Sequence, residues 1–153
     1  MPGQRNDRID ILGVELEWKL RLEDTDGRYC VLAATVAPGV GVPPHQHPDQ
    51  EAFFVLEGRP EFALAEGDKL AWKTAAPGDM VRIPVDAAHG FRNESGGVVR
   101  LLIMCTAGLG RFFEEAGVPL AEGETAATNL SPATIQYVIG IAEKYGQRFP
   151  VPA

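Results

Sequence analysis

Four side chains in this 153-residue sequence have the types and spacing of a metal site. The chain has three histidines, His45, His47 and His89, and Glu51 places a carboxylate near the first two. Neutral imidazole together with carboxylate is a donor set that suits divalent iron, nickel, manganese, cobalt, copper or zinc. Such a set leaves one or two positions open on a six-coordinate ion, where a substrate or dioxygen binds. The spacing therefore predicts one divalent transition metal with chemistry at it.

Short strands and turns must position these donors. Alternate side chains share one face of a strand, so we expect His45 and His47 to project from the same face about 7 Å apart. The turn-type residues 48–50 then redirect the chain, which brings Glu51 towards the same ion. Another turn precedes His89, which we expect on an adjacent strand as the fourth donor.

Glycines, a proline and an asparagine accompany the donors at fixed intervals. A His-x-His pair alone is weak evidence for a metal site, because an edge strand that faces water carries such a pair without any function. A complete two-part pattern is much harder to match by chance. It consists of Gly39-x5-His45-x-His47-x3-Glu51-x6-Gly58 followed by Gly78-x5-Pro84-x4-His89-x3-Asn93.

This two-part pattern resembles the two motifs of the cupin superfamily. One position differs, since the second cupin motif has a glycine where this sequence has Asp86. That glycine serves a tight turn, and aspartate is among the few other residues that tolerate such a backbone conformation, so we expect the turn to be kept. The resemblance implies a cupin jelly-roll β-barrel in which the four donors bind the metal.

A finer resemblance is to the small single-domain cupins known as flavonol dioxygenases, or quercetinases. It rests on segment 51–58, with the sequence EAFFVLEG, and on the tail 107–117, with the sequence AGLGRFFEEAG. The resemblance implies that the three histidines hold the metal, that Glu51 is both ligand and catalytic base, and that dioxygen cleaves a heterocycle. It therefore implies a metal-dependent dioxygenase that acts on a small aromatic or enolisable substrate.

Two other functions fit the same residues. A metal-dependent isomerase, cyclase or lyase would use the ion as a Lewis acid without dioxygen. A non-catalytic small-molecule-binding module would instead release its ligand unchanged. Oxygen uptake during turnover separates the oxygenase from the first alternative, and recovery of unaltered ligand identifies the second.

Strand alternation also predicts the substrate pocket. Side chains two and four positions after Glu51 face inward with it, and the same holds for those after His89. On the segment 98–106, the alternation leaves open whether the even-numbered or the odd-numbered residues face inward. The predicted lining is Phe53, Val55, Phe91, Asn93 and Met104, although any one of the phenylalanines could simply belong to the core. With few charges besides the metal ligands, this pocket suits a flat, largely apolar, oxygen-bearing molecule better than a sugar phosphate.

Strand signals are dense up to about residue 106. Many short strands punctuated by glycine, proline and aspartate are typical of a jelly-roll barrel. We therefore predict an all-β fold, with a single cupin domain over residues 1–153 whose barrel core spans about 9–106. The predicted strands are 9–12, 14–22, 29–36, 61–65, 69–74, 80–83, 90–93 and 98–106.

A short helical tail, about 109–146, follows the barrel. Its first helix spans 109–116, and its second begins with Ser131 as the N-cap and continues to Tyr145. Apolar residues at helical spacing give the second helix one buried stripe. We expect this helix to pack outside the barrel or against a second subunit without a catalytic role, and the aperiodic segment 121–129 to be mobile.

Composition narrows the partners and the location. A net charge of −7 and a pI near 4.9 speak against nucleic acid and anionic membranes. The sequence shows neither an apolar signal region nor a run of apolar residues long enough to cross a bilayer. Cys30 and Cys105 lie in apolar runs, which predicts buried free thiols and a reducing cytoplasm. The expected partners are a small-molecule substrate and a second copy of the chain in a homodimer.

Overall fold

Two antiparallel sheets form the core of the structure, a computed structural model that describes residues 7–149. The described strands are β1 (Arg8–Ile11), β2 (Val14–Leu20), β3 (Tyr29–Val36), β4 (Gly41–His45), β5 (Glu51–Glu57), β6 (Glu61–Glu66), β7 (Lys69–Thr74), β8 (Met80–Ile83), β9 (His89–Arg92), β10 (Val99–Thr106) and β11 (Val118–Pro119). One sheet has the order β11-β1-β2-β3-β10-β5-β8 and the other the order β4-β9-β6-β7. The all-β jelly-roll prediction is confirmed.

Period-two alternation builds the core between these sheets. On β5 as far as Val55, and along the whole of β10, the odd-numbered residues are buried and the even-numbered ones reach the outer face. Phe53 on β5 packs against Phe62 and Phe91 of the opposite sheet, with ring centroids 5.1 Å and 5.5 Å away. These aromatic contacts join the two sheets close to the predicted metal site.

Most of the predicted strands lie within two residues of their predicted bounds, and the differences have local causes. The strand predicted to end at residue 22 ends at Leu20, because Leu22–Thr25 forms a 3-10 turn. Asp26 and Gly27 then take positive φ angles of 56° and 74°, which complete the connection to β3. The strand β4 had no predicted bounds of its own beyond the histidine pair.

The turn before β9 has the backbone conformation that favours glycine, although Asp86 occupies that position. Asp86 has a φ of 61°, in the left-handed region that favours glycine but tolerates aspartate. Its backbone N–H donates to the carbonyl of His47 at 2.9 Å, and Ala87 N–H donates to Pro84 at 3.1 Å. The expectation for this position is confirmed, and the turn also connects the two halves of the metal motif.

Two helices follow the barrel, α1 (Ala107–Ala116) and α2 (Pro132–Lys144). The predicted cap of α2 is confirmed, since the Ser131 hydroxyl accepts a hydrogen bond from Thr134 N–H at 3.1 Å. Between the helices, segment 121–129 has little regular structure, but Ala127 N–H donates to the Asp10 carboxylate at 2.8 Å. No helix among residues 7–149 has both the length and the apolar character needed to cross a membrane.

Both cysteines are buried free thiols, as predicted. Cys30 on β3 and Cys105 on β10 are direct cross-strand partners, with their Sγ atoms 3.3 Å apart. The hydrogen bond with the Cys30 thiol, and then burial, raise the pKa of Cys105 well above its ordinary value. A thiol in this state is a poor nucleophile, so the cysteines act as small core residues.

Candidate metal centre

Both sheets contribute donors to one buried site. His45 ends β4 and pairs directly with His89, the first residue of β9, in the four-stranded sheet. Glu51 begins β5 in the seven-stranded sheet. His47 lies just beyond the end of β4, but His45 and His47 are both buried while Gln46 between them is not, so the two histidines project to the same side as predicted. All four side chains are at most 7% exposed.

Two prolines lie within β4, ahead of the first histidine. Pro43 and Pro44 have no N–H to donate, and such residues are accepted only on an edge strand such as β4. The pairing register shifts between Val42 and His45, which marks a bulge. β4 then ends at His45, and His47 follows the isolated bridge between Gln46 and Arg148.

Backbone carbonyls fix the orientation of all three imidazole rings. A carbonyl oxygen only accepts hydrogen bonds, so each Nδ1 must carry the proton and Nε2 is left to face the site. The three bonds are His45 Nδ1 to Pro43 O at 2.8 Å, His47 Nδ1 to Asp49 O at 3.1 Å, and His89 Nδ1 to Ala87 O at 2.9 Å.

The donor atoms converge in a manner that fits a metal ion. One nitrogen from each of the three histidines lies within 4.8 Å of the other two. Glu51 Oε1 lies 3.3 Å from His47 Nε2 and 3.1 Å from His89 Nε2. Three imidazoles with protonated Nδ1 atoms and one carboxylate, all buried, are the donor set that divalent transition metals prefer. The residues present therefore fit the predicted ion.

The electrostatics of the site keep the Glu51 carboxylate ionised. Burial alone would raise the pKa of Glu51, but hydrogen bonds from His47 and His89 lower it to about 2. Burial, and then the charge of His89, lowers the pKa of His45 to about 4. Burial also opposes protonation of His47, yet the hydrogen bond and charge of Glu51 raise the pKa of His47 overall. Glu51 is thus an anion at neutral pH.

Metal content is expected to fall as the pH drops, because an ion binds only neutral imidazoles. His45, with its pKa lowered to about 4, stays neutral over most of the range. His47, whose pKa is raised from 6.5, takes up a proton before His45 does, although a bound ion moves the midpoint lower. Elemental analysis after dialysis over a pH series checks this. Full metal content down to about pH 4 would contradict a three-histidine site.

A cavity opens from the metal centre into the apolar interior. It has a volume of about 60 Å³, and its only polar lining residues among 7–149 are His45, Glu51 and Gln147. The apolar wall includes the two predicted residues Phe53 and Phe91. The ionised Glu51 carboxylate therefore lies beside a cavity whose wall is almost entirely apolar.

Three other predicted pocket residues lie outside this cavity lining. Val55 faces inward as expected but is fully buried in the core. On β10, Leu101 and Ile103 face inward and Ile103 lines the cavity. Met104 lies on the other face of the strand. Asn93 is fully buried and makes structural hydrogen bonds. Its Nδ2 donates to the carbonyls of Val36 and Gly97, and its Oδ1 accepts from Ser95.

Asn93→Ala is expected to lower the free energy of unfolding by about 2–3 kcal/mol, because it removes a buried side chain and its hydrogen bonds, including the one to the carbonyl of the buried Val36. Metal content should not change, since Asn93 contacts no donor residue. Urea unfolding and elemental analysis measure the two effects. Asn129→Ala, the same change at an exposed position, is the control and should stay within about 0.5 kcal/mol of wild type. Loss of metal in Asn93→Ala would show that this residue belongs to the site.

Comparisons with known proteins agree with this architecture. Residues 32–105 match the family model described as Cupin domain. A solved structure of the polyketide cyclase RemF from Streptomyces resistomycificus is similar with a TM-score of 0.59 and 20% identity, over 91% of this chain and 92% of that one. The fold is a jelly-roll β-barrel similar to that of this solved structure.

Other solved cupin-fold structures have different functions. An oxalate oxidase is similar with a TM-score of 0.53 and 21% identity, over 68% of this chain and 55% of that one. The Cupin_2 domain of an XRE family transcriptional regulator from Enterobacter cloacae gives 0.50 and 23%, over 61% and 95%. No significant relative is found among curated proteins. The cupin fold therefore leaves the reaction to be argued from the site.

The C-terminal segment of this barrel contributes to the site in a way that the sequence did not predict. Val138, Ile139 and Ala142 of α2 line the cavity, although we expected α2 outside the barrel or at a subunit contact. Beyond α2, Gln147 also lines the cavity, and the Phe149 ring stacks on His45 with centroids 4.9 Å apart. The apolar stripe of α2 indicated a buried face, but nothing in the sequence indicated what it covers.

Proposed function

We propose that the protein is a metal-dependent oxygenase that acts on a small, largely apolar, enolisable or phenolic molecule. The observation that carries the proposal is the position of Glu51. Its Oε1 atom lies 3.3 Å from His47 Nε2 and 3.1 Å from His89 Nε2, and the carboxylate also lines the apolar cavity. A group in this position belongs both to the predicted metal site and to the space where a substrate would bind.

Glu51 is suited to take a proton from such a substrate. Both histidine contacts use Oε1, so Oε2 is the oxygen available to a substrate hydroxyl or an acidic C–H. A divalent ion held by the four donors would supply Lewis acidity, which favours the deprotonated substrate, and an open position for dioxygen. The apolar wall excludes water, which strengthens the attraction between the carboxylate and the departing proton.

The size of the cavity limits the substrate. Pockets that hold drug-sized ligands have volumes of roughly 300–1,000 Å³, and this cavity has about 60 Å³. A compact 1,3-diketone is therefore a better candidate than a three-ring flavonol. A flavonol would require an outward movement of the wall formed by α2 and Phe149.

Oxygen consumption tests the proposed reaction. Protein purified without added metal is analysed for its ion and then assayed with a 1,3-diketone and a flavonol in an oxygen electrode. We expect oxygen uptake that depends on both the ion and the substrate. No uptake across the panel, with full metal content, would refute the oxygenase.

A second candidate is a cyclase that uses the same deprotonation without dioxygen. It is supported by the solved polyketide cyclase, whose likeness extends over more than nine-tenths of both chains and so includes the helical tail. Deprotonation by Glu51 next to an enolisable carbonyl is also the first step of such a ring closure. Substrate consumption at an unchanged oxygen concentration would favour this function.

A further inference from the structure

A buried amide lies in the cavity without a partner. Gln147 is 4% exposed, and its Nε2 atom makes no hydrogen bond to any of residues 7–149. The wall around it is apolar except for His45 and Glu51. A buried donor left unpaired costs stability, whereas a leucine of similar size would avoid this cost.

A backbone bridge determines where Gln147 points. Gln46 and Arg148 pair in an antiparallel bridge, with N–H to carbonyl distances of 3.2 Å and 2.8 Å. In such a pairing, the residues on either side of the bridged pair also face each other. Phe149 therefore faces His45, as their stacked rings show, and Gln147 faces His47. The amide is thus placed beside the metal centre by the chain that carries two of its donors.

Alternation along the segment separates its two roles. Arg148 points outward, where it lies 3.8 Å from the Asp86 carboxylate, while Gln147 on one side of it lines the cavity. The bridge therefore holds the backbone, and the Gln147 side chain is free to bind something inside. The site has an anionic carboxylate at one position and a hydrogen-bond donor at another, with apolar walls between.

We propose that Gln147 Nε2 donates a hydrogen bond to a carbonyl or enolate oxygen of the substrate and so helps to select it. This proposal rests on the proposed function for the deprotonation step at Glu51. It adds that the substrate has two oxygens, one at the metal centre and one within reach of Gln147. A small apolar 1,3-diketone has this arrangement. The amide would hold its second oxygen and would favour the enolate over the neutral ketone.

Binding of two probes to the metal-loaded protein tests the proposal. The probes are 2,4-pentanedione and 2-pentanone, which differ by one carbonyl. We expect Gln147→Leu to weaken binding of the diketone about 3- to 10-fold, as for loss of one hydrogen bond, and to leave binding of the monoketone nearly unchanged. Gln147→Glu has the same length but presents an acceptor and a charge, so it should weaken binding of the diketone at least as much.

Thermal unfolding of the ligand-free protein provides a second readout. Because Gln147 Nε2 has no partner, Gln147→Leu should have a melting temperature equal to or above that of wild type, which a merely structural amide would not allow. Gln136→Leu, the same change on the exposed side of α2, is the matched control and should leave the affinities for both probes unchanged.

Several results would overturn the proposal. These are a wild-type affinity of Gln147→Leu for the diketone, equal weakening for both probes, a clearly lower melting temperature, and failure of the wild type to prefer the diketone. The affinity measurements and the oxygen-uptake measurement test the two proposals independently. The expected affinities without oxygen uptake would refute the oxygenase and leave the role of Gln147 intact, whereas uptake with unchanged affinity in Gln147→Leu would do the opposite.

Discussion

Glu51→Gln is expected to lower turnover by about 10²–10⁴ while most of the metal stays bound. Glutamine keeps an oxygen that can bind an ion, but it cannot take up a proton near neutral pH. The variant therefore removes the base and retains a donor. Bound metal, substrate affinity and oxygen uptake are measured on the same preparation.

Glu57→Gln is the matched control for this experiment. Glu57 ends the same strand, β5, but is exposed and lies far from the cavity lining. Its substitution should change neither turnover nor metal content. If Glu51→Gln turned over at the wild-type rate with full metal occupancy, Glu51 would have no part in the mechanism.

The double variant His47→Ala/His89→Ala is expected to lose nearly all of its metal. Two of the three histidine nitrogens disappear, and Glu51 loses both of its hydrogen-bond donors. The pKa of Glu51 should then rise from about 2, because burial remains while its partners are gone. Elemental analysis gives the metal content, and circular dichroism shows whether the barrel persists.

We expect this double variant to fold with reduced stability. The core around Phe53, Phe62 and Phe91 makes its contacts independently of the histidines. Asn93→Ala supplies the reverse comparison, since it should be destabilised and yet keep its metal. Stoichiometric metal in the double variant would refute the assignment of His47 and His89 to the metal site.

The convergence of the three histidines and Glu51 could be predicted from sequence because the pattern specifies residue types at turns and strand ends. Asp86 shows how far such an argument extends, since a departure from the cupin pattern was explained by backbone conformation and the φ of 61° confirms it. Alternation also placed His45 and His47 correctly on one side of the chain, since both are buried and Gln46 between them is not. The end of β4 at His45 was not predictable from alternation.

The pocket was less predictable because both faces of β10 are apolar. Residues 101–104 are Leu, Leu, Ile and Met, so no polar residue marks the outward side. Pairing with β3 and β5 decides which residues of β10 face inward. It brings Leu101 and Ile103 inward and Met104 outward. Contacts of the C-terminal segment depend on one bridge between residues 46 and 148, a separation at which local patterns carry no information.

The division of the donors between two sheets gives an ion a mechanical role besides a chemical one. His45 and His89 belong to the four-stranded sheet, and Glu51 begins a strand of the seven-stranded sheet. An ion bound to all of them would act as a cross-link between the layers, and any motion that spreads the layers at this end would have to break metal bonds. Binding to the folded chain alone adds about 2.7 kcal/mol of stability at a free ion concentration 100 times the Kd. The supply of metal in the cell would then govern how firmly the two sheets are held together at this end of the barrel, as well as whether the protein is active.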